Sequence, residues 1–200
     1  MTTRQVTAAI GLGANVGDAL PTLATAVRAL AALPGVSGLR VSPLYRTRPV
    51  GVTDQPDFHN AVVALRVPAG PDPATGALAL LSALKSLERA LGRRSRARWG
   101  PRELDLDLLL FGHHRIHAER TPAARGEGAG RGGAQGQEVP HPASRERLFV
   151  LAPLADLSPA LVPPGWPESV RAARDRRARE EGADAVHRIG RWSGATWTAR

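Results

Sequence analysis

The stretch ELDLDLLLFG, residues 103–112, places two acids one residue apart at the start of a hydrophobic run. Successive side chains of a β-strand point to opposite faces of the sheet, so Asp105 and Asp107 project to one side. The other side, directed at a core, carries Leu104, Leu106, Leu108 and Leu110. The stretch predicts a half-buried strand with both carboxylates facing one site, although two solvated acids on an exposed face would give the same pattern.

Further strands and helices precede this strand. Short apolar runs predict strands at residues 5–12, 36–47 and 57–67. Apolar residues spaced by three and four predict helices at residues 18–33 and 72–91. The apolar stripe of the second helix consists of Leu78, Leu81, Leu84, Leu87 and Leu91.

The resulting order, β-α-β-β-α-β, is typical of the ferredoxin-like α+β sandwich, in which two helices cover one face of an antiparallel sheet. The opposite face is then open for a site. We expect one such domain over residues 1–165. Within it, the glycine-rich residues 121–138 predict a disordered insertion. Residues 166–200 are expected to be a charged C-terminal extension, with an exposed helix over residues 171–182.

Composition and charge limit the classes of function. The chain has no cysteine, which excludes a disulfide, a thiolate nucleophile and a zinc–sulfur site. No apolar run approaches the roughly 18 to 20 residues that cross a bilayer, so we expect a soluble, cytoplasmic protein without a membrane partner. The formal net charge of +9 indicates a polyanionic partner: a nucleic acid, an anionic lipid or the phosphates of a nucleotide.

Arginines crowd the loop in front of the two acids. The cluster consists of Arg93, Arg94, Arg96, Arg98 and Arg102. Carboxylates suit Mg²⁺, which usually takes one or two of them together with substrate phosphates and water. Guanidinium groups bind further phosphate oxygens. A cationic loop beside paired acids therefore predicts a magnesium-dependent phosphate site, although a nucleic-acid patch or a solvated loop would have the same arginine content.

Aromatic and amide side chains indicate a second half of this site. Phe58 and Asn60 are two apart in a predicted strand, so they share a face and suit a flat heterocycle with donor and acceptor edges. Trp99 lies in the arginine-rich loop, where it either stacks on a ring or anchors the loop in a core. His141 stands between two prolines, which predicts an extended turn.

Four motifs, taken in order, resemble a known enzyme family. They are GLGANVGD, YRTRPVGVTDQPDFHNAVV, LERALGRRSRARWGPRELDLDLLLFG and PHPASRERLFVLAPL. Together they closely resemble the 6-hydroxymethyl-7,8-dihydropterin pyrophosphokinases of folate biosynthesis, over roughly residues 6–165. The segment RWGPRELDLD is the most specific. The resemblance implies a ferredoxin-like fold and the transfer of pyrophosphate from ATP to the hydroxymethyl group of the pterin, with release of AMP.

The resemblance also implies roles for individual residues. Asp105 and Asp107 would hold two Mg²⁺ ions, with ATP as co-substrate. Catalysis would depend on Asp107, Arg93 and Arg102, and Asp107 would assist deprotonation of the hydroxyl. The pterin, stacked between two phenylalanines, would be surrounded by Thr47, Val50, Phe58, Asn60, Trp99 and Phe149. The residues around ATP would be Lys85, Glu88, Arg93, Trp99, Arg102, His141 and Arg147.

Two positions depart from the family pattern: Ser95 replaces an arginine common in the loop, and Arg48 replaces a proline often found beside the pterin. A competing interpretation is a basic RNA- or DNA-binding module, against which the paired acids argue. The glycine spacing argues against a dinucleotide-dependent enzyme, because Gly11, Gly13 and Gly17 do not form the G-x-G-x-x-G motif. We therefore expect small-molecule substrates, no nucleic-acid partner and a monomer.

Overall fold

The computed structural model describes residues 4–49, 51, 53–93, 100–118, 137–182 and 184–199. Its strands are β1 (Gln5–Ala14), β2 (Ser37–Val41), β3 (Leu44–Thr47), β4 (Phe58–Pro68), β5 (Asp105–Phe111), β6 (Ile116–Ala118), β7 (Gln137–Val139), β8 (Val186–Trp192) and β9 (Trp197–Ala199). Its helices are α1 (Ala19–Ala31), α2 (Pro73–Ala90), a short 3₁₀ helix (Pro142–Glu146), α3 (Leu148–Leu157) and α4 (Val170–Glu181). Within these described ranges, no helix has both the length and the apolar character to cross a membrane.

Strands β1 to β5, β8 and β9 form one antiparallel sheet. Its order is β5-β1-β4-β3-β8-β9, and β2 also pairs with β4. Strands β6 and β7 form a separate two-stranded sheet. The β-α-β-β-α-β order is present, because β2 and β3 together occupy the place of the second predicted strand. The prediction of an α+β fold with an antiparallel sheet is confirmed.

The strand predicted over residues 36–47 is interrupted and forms both β2 and β3. The interruption falls at Ser42 and Pro43, because proline has no N–H to offer a sheet. The N–H of Ser42 donates to the Val62 carbonyl at 2.9 Å, and the Ser42 hydroxyl accepts from the Val62 N–H at 2.9 Å. Both halves consequently pair with β4.

The main core lies between one sheet face and the helices α1 and α2. The buried side of α2 runs through Ala77, Leu80, Leu81, Leu84 and Glu88. The prediction for Leu78 is wrong, since this side chain is 44% exposed. It follows Ala77 by one residue, about 100° of helical rotation, and therefore points away from the sheet.

The opposite sheet face is open only in part, which corrects the expectation of a free face. Helices α3 and α4 cover one portion of it. The second hydrophobic cluster beneath them includes Ala9, Val62, Leu109, Leu110, Val150, Leu151, Leu154, Val170 and Ala173. The portion beside this cluster remains accessible.

Strand β5 contributes to both cores because it contains a β-bulge. Ala9 pairs with Leu110 and Ile10 pairs with Leu108, so Leu109 is an additional residue on β5. Leu106 and Leu108 lie in the main core as predicted. After the bulge, the even-numbered side chains of β5 point to the opposite face of the sheet. The prediction that Leu110 faces the main core is therefore wrong: it packs in the second cluster.

The residues after 165 pack on the same sheet. Helix α4 is present where an exposed helix is predicted, and β8 pairs with β3. Trp197 of β9 is only 5% exposed, and its Nε1–H donates to the Ser42 carbonyl at 3.0 Å. The domain boundary at residue 165 stays a prediction. Of the predicted disordered segment 121–138, Gln137 and Glu138 belong instead to β7, and the other residues lie outside the described ranges.

Replacing Trp197 with alanine should destabilise the protein by about 3 kcal/mol, because a large buried side chain is removed from the main core. Trp197→Phe keeps a ring but loses the bond to Ser42, and should cost about 1 kcal/mol. The exposed Thr198 is the control, and its change to alanine should stay within about 0.5 kcal/mol. Urea unfolding measures all three; equal midpoints for wild type and Trp197→Ala would show that the C-terminal strands are not part of the cooperative fold.

Candidate active site

A cavity of about 860 Å³ lies on the accessible part of the second sheet face. Its floor crosses neighbouring strands. The register places Gly13 of β1 between Asp105 of β5 and Asn60 of β4. Thr47, at the end of β3, continues the floor on the far side of β4. The cavity therefore joins the paired acids to the predicted heterocycle residues.

Gly13 keeps the centre of this floor open. A Cβ atom at this position would lie 3.0 Å from Oδ1 of Asn60, which is tighter than ordinary van der Waals contact. Any larger side chain would displace Asn60 and fill the space between the two ends of the cavity. The absence of a side chain at Gly13 thus connects the two halves of the site.

Asp105 and Asp107 both line the cavity, as the strand pattern predicts. Asp105 Oδ1 forms ion pairs with Nη1 of Arg93 at 2.9 Å and with Nη1 of Arg102 at 2.8 Å. Burial raises the pKa of Asp107, and the neighbouring charge of Asp105 raises it further, while the charges of His141 and Lys85 oppose this. The surroundings of Asp107 thus disfavour the charged form of this acid.

The donor set fits Mg²⁺. Among the described residues, no group of three histidine, aspartate or glutamate side chains is assembled to hold a metal. Asp105 and Asp107 would supply the carboxylates, and the other coordination positions would fall to water and substrate phosphate, as is usual for this ion. The raised pKa of Asp107 is consistent with a site completed by cation and substrate together.

Glu88 lies behind the acids and orients the groups around them. Its carboxylate is 2% exposed and accepts from the Leu106 N–H at 2.7 Å. The same oxygen pairs with Lys85 Nζ at 2.9 Å and with Arg93. Arg93 therefore bridges Glu88 and Asp105. Glu88 thus holds both β5, through the Leu106 N–H, and the Arg93 side chain in position.

The heterocycle end of the cavity is built from β3, β4 and α3. Phe58 and Phe149 line it, as does Asn60, whose Nδ2 donates to Thr47 Oγ1 at 2.7 Å. This bond fixes the amide, so its Oδ1 is directed toward Gly13 and the cavity floor. The Arg147 guanidinium lies 5.7 Å from the centre of the Phe149 ring, within the range of a cation–π contact.

His141 begins the 3₁₀ helix that forms another wall. Its Nδ1 accepts from the Ala143 N–H at 3.3 Å, and its backbone carbonyl accepts from the Ser144 hydroxyl at 2.6 Å. An accepting Nδ1 places the proton of the neutral ring on Nε2. The turn thus holds His141 as a donor on the cavity wall.

The structure gathers most of the predicted site residues. Those that line the cavity are Thr47, Phe58, Asn60, Arg102, Asp105, Asp107, His141, Arg147 and Phe149. Lys85, Glu88 and Arg93 adjoin it through the ion pairs on Glu88. Val50 and Trp99 lie outside the described residues.

Other cavity residues are absent from the sequence prediction. They include Gly13, Glu146, Arg177 and Glu181. Glu146 belongs to the motif PHPASRERLFVLAPL, between His141 and Arg147, which the family resemblance assigns to the site. Its place in that motif could therefore have identified it. Arg177 and Glu181 belong to α4, where alternating charges predict a solvated helix.

Paired acids with arginines, in one cavity with two phenylalanines on an antiparallel α+β fold, are typical of a nucleotide-dependent phosphotransferase with a flat acceptor. The family model for 7,8-dihydro-6-hydroxymethylpterin-pyrophosphokinase matches residues 9–159. The chain belongs to this family, whose members transfer pyrophosphate from ATP to hydroxymethyldihydropterin in folate biosynthesis. The predicted enzyme class and the use of ATP as co-substrate are confirmed.

Bacterial relatives extend this match over most of the chain. A 2-amino-4-hydroxy-6-hydroxymethyldihydropteridine pyrophosphokinase of Methylorubrum extorquens is 41% identical over 82% of this chain and 89% of its own length. The protein of the same name from Pseudomonas aeruginosa is 39% identical over 76% of this chain and 80% of its own.

Solved structures confirm the predicted ferredoxin-like fold. Wild-type HPPK-DHPS of Plasmodium falciparum superposes with a TM-score of 0.72 at 14% identity, covering 99% of this chain. An HPPK-DHPS complex with substrates gives a TM-score of 0.73 at 14% identity, again over 99% of this chain. This chain spans about half the length of both proteins, 50% in each case.

Replacing Glu88 with alanine should destabilise the protein by about 3 kcal/mol, because it leaves the Leu106 N–H, Lys85 and Arg93 without their shared acceptor. Glu88→Gln keeps an acceptor for the N–H and should lose clearly less. Chemical unfolding of both variants tests this explanation. Equal losses would mean that the bond to β5 is not what makes Glu88 important.

Proposed function

We propose that this cavity performs the family reaction on 6-hydroxymethyl-7,8-dihydropterin, with two Mg²⁺ ions held by Asp105 and Asp107. The observation that carries the proposal is the union of two unlike half-sites in one cavity. Acids with paired arginines line one part of it, and Phe58, Asn60 and Phe149 line another. A bisubstrate reaction between a nucleotide and a flat alcohol requires both.

In the proposed reaction the hydroxymethyl oxygen bonds to the β-phosphorus of ATP. The bond from that phosphorus to the oxygen shared with the α-phosphorus breaks, so AMP leaves and the hydroxyl proton is released. The protein acts by positioning and by stabilising charge, which are the main contributions in phosphoryl transfer. No covalent enzyme intermediate is required.

The acid end is proposed to organise the triphosphate. Bound Mg²⁺ would neutralise phosphate charge and fix the reacting oxygens. Arg93 and Arg102, now paired with Asp105, are placed to direct guanidinium donors at phosphate oxygens. Asp107, which lines the same cavity as the proposed pterin residues, is the proposed acceptor for the hydroxyl proton.

The opposite end is proposed to hold the pterin. Phe58 and Phe149 would enclose the ring, and Asn60, fixed by Thr47, would offer its Oδ1 to a ring N–H. A monomer stays the predicted active form. The pairing of Arg93 and Arg102 with Asp105 supports a nucleotide site over a nucleic-acid patch.

The wild-type protein with ATP and Mg²⁺ should form AMP only when 6-hydroxymethyl-7,8-dihydropterin is added. The double variant Asp105→Ala/Asp107→Ala should lose at least about 1,000-fold of this turnover, because both carboxylates of the phosphate end are gone. Chromatographic measurement of AMP tests this. The exposed Asp184, changed to alanine, is the matched acid control and should retain wild-type turnover.

The fold of the double variant is checked in the same experiment. Asp105 and Asp107 face the cavity and not the leucines of the main core, so cooperative unfolding should persist. Pterin-independent AMP release by the wild type, or equal turnover in the double variant, would refute the proposed function.

Phe149→Ala should raise KM for the pterin by about tenfold or more, because aromatic stacking on a flat base contributes about 1–3 kcal/mol. Phe149→Leu keeps apolar bulk without a ring, so its KM for the pterin should lie between those of the wild type and Phe149→Ala. KM for ATP should change little in both variants. Steady-state kinetics with each substrate varied in turn distinguishes this from a general loss of the site, in which both KM values would rise together.

A further inference from the structure

Helix α4 forms a wall of the cavity although it begins at Val170, beyond the family match that ends at residue 159. Two of its side chains, Arg177 and Glu181, line the cavity. They lie one helical turn apart and form an ion pair of 2.6 Å between Nη2 and Oε1. Neither residue has a role in the reaction as proposed above.

The strand that follows α4 indicates which side of the cavity the ion pair adjoins. After Glu181, the Ala185 N–H donates to the Gly182 carbonyl at 3.3 Å, and Val186 pairs with Thr47 on β3. Asp105 and Asp107 lie on β5, three strand steps from β3 in the sheet order. At about 4.8 Å a step, this separation is roughly 14 Å. The C-terminal end of α4, which carries Glu181, therefore approaches the sheet on the β3 side of the cavity, away from β5.

The wall is held in place from both sides of the helix. Val170 and Ala173 are fully buried in the second hydrophobic cluster. On the cavity side, Arg176 pairs with Glu146 at 3.2 Å and with Glu168 at 3.1 Å, which joins α4 to the 3₁₀ helix. The position of the Arg177–Glu181 pair is thus defined by the fold.

The chemistry of the pair matches an amide-like edge. Arg177 donates and Glu181 accepts, whereas the pyrimidinone edge of a pterin offers a carbonyl acceptor beside N–H donors. Nη1 and Nη2 of Arg177 pair with Glu180 and Glu181, but Nε, which is buried, has no hydrogen-bond partner among the described residues.

We propose that Arg177 and Glu181 bind the edge of the heterocycle opposite its hydroxymethyl group and set the affinity for the acceptor but not for ATP. This proposal rests on the proposed function for the identity of the acceptor. It assigns a substrate-binding role to a helix outside the matched family region.

The test compares Arg177→Met with Arg179→Met, the same change at an exposed arginine of the same helix. Binding of 6-hydroxymethyl-7,8-dihydropterin is measured calorimetrically with Mg²⁺ and α,β-methylene-ATP, which cannot release AMP. Arg177→Met should raise the Kd and the KM for the pterin about tenfold, as expected for a lost charged hydrogen bond. Arg179→Met should match the wild type, and KM for ATP should be unchanged in both.

Glu181→Gln is the second variant, for the case that Arg177→Met does not fold; it should weaken pterin binding severalfold. Wild-type pterin affinity in folded Arg177→Met, or in Glu181→Gln if Arg177→Met does not fold, overturns the inference, as does an equal loss of ATP and pterin affinity. If the wild type binds pterin without forming AMP and Arg177→Met weakens that binding, the proposed reaction fails and this inference stands. If the wild type binds no pterin, both fail.

Discussion

The shared orientation of two neighbouring carboxylates on β5 is the constraint on which the site depends. Asp105 and Asp107 share one face of a strand whose other face, at Leu106 and Leu108, is sealed in the main core. The acids cannot rotate away from each other without exposing those leucines. Arg93 and Arg102 compensate Asp105, whereas burial and the charge of Asp105 raise the pKa of Asp107. The core thus holds both acids at the cavity, where we propose that they bind Mg²⁺.

A single irregularity lets the same strand serve two purposes. Up to Asp107 the second face of β5 belongs to the cavity, and after the bulge at Leu109 that face belongs to the cluster under α3. Strand β1 permits this change because its own second face is small: Ala9 lies under α3, and Gly13 lies under the cavity. A regular β5 would direct Leu110 into the main core and leave α3 without that contact.

The periodicity of the sequence predicts the parts that depend on local pattern. These are the strands β1, β4 and β5, the helices α1 and α2, and the common face of Asp105 and Asp107. The bulge is not visible in that pattern, because it is defined by the register of β5 against β1. The motif resemblance adds the heterocycle residues, such as Asn60 and Phe149, which spacing alone leaves unspecific.

The C-terminal region escapes prediction for a different physical reason. Strand β8 is stabilised by its pairing with β3 and by Trp197 of β9, not by an apolar alternation of its own. Helix α4 buries only Val170 and Ala173, and the rest of its surface is charged. Exposed ion pairs contribute little stability, so most of those charges do not hold the helix in place. Its position follows from two buried residues, from the Arg176 ion pair with Glu146, and from the strand that continues it into the sheet. Most of the charged residues of α4 are therefore not needed for its stability, and two of them, Arg177 and Glu181, form a wall of the cavity.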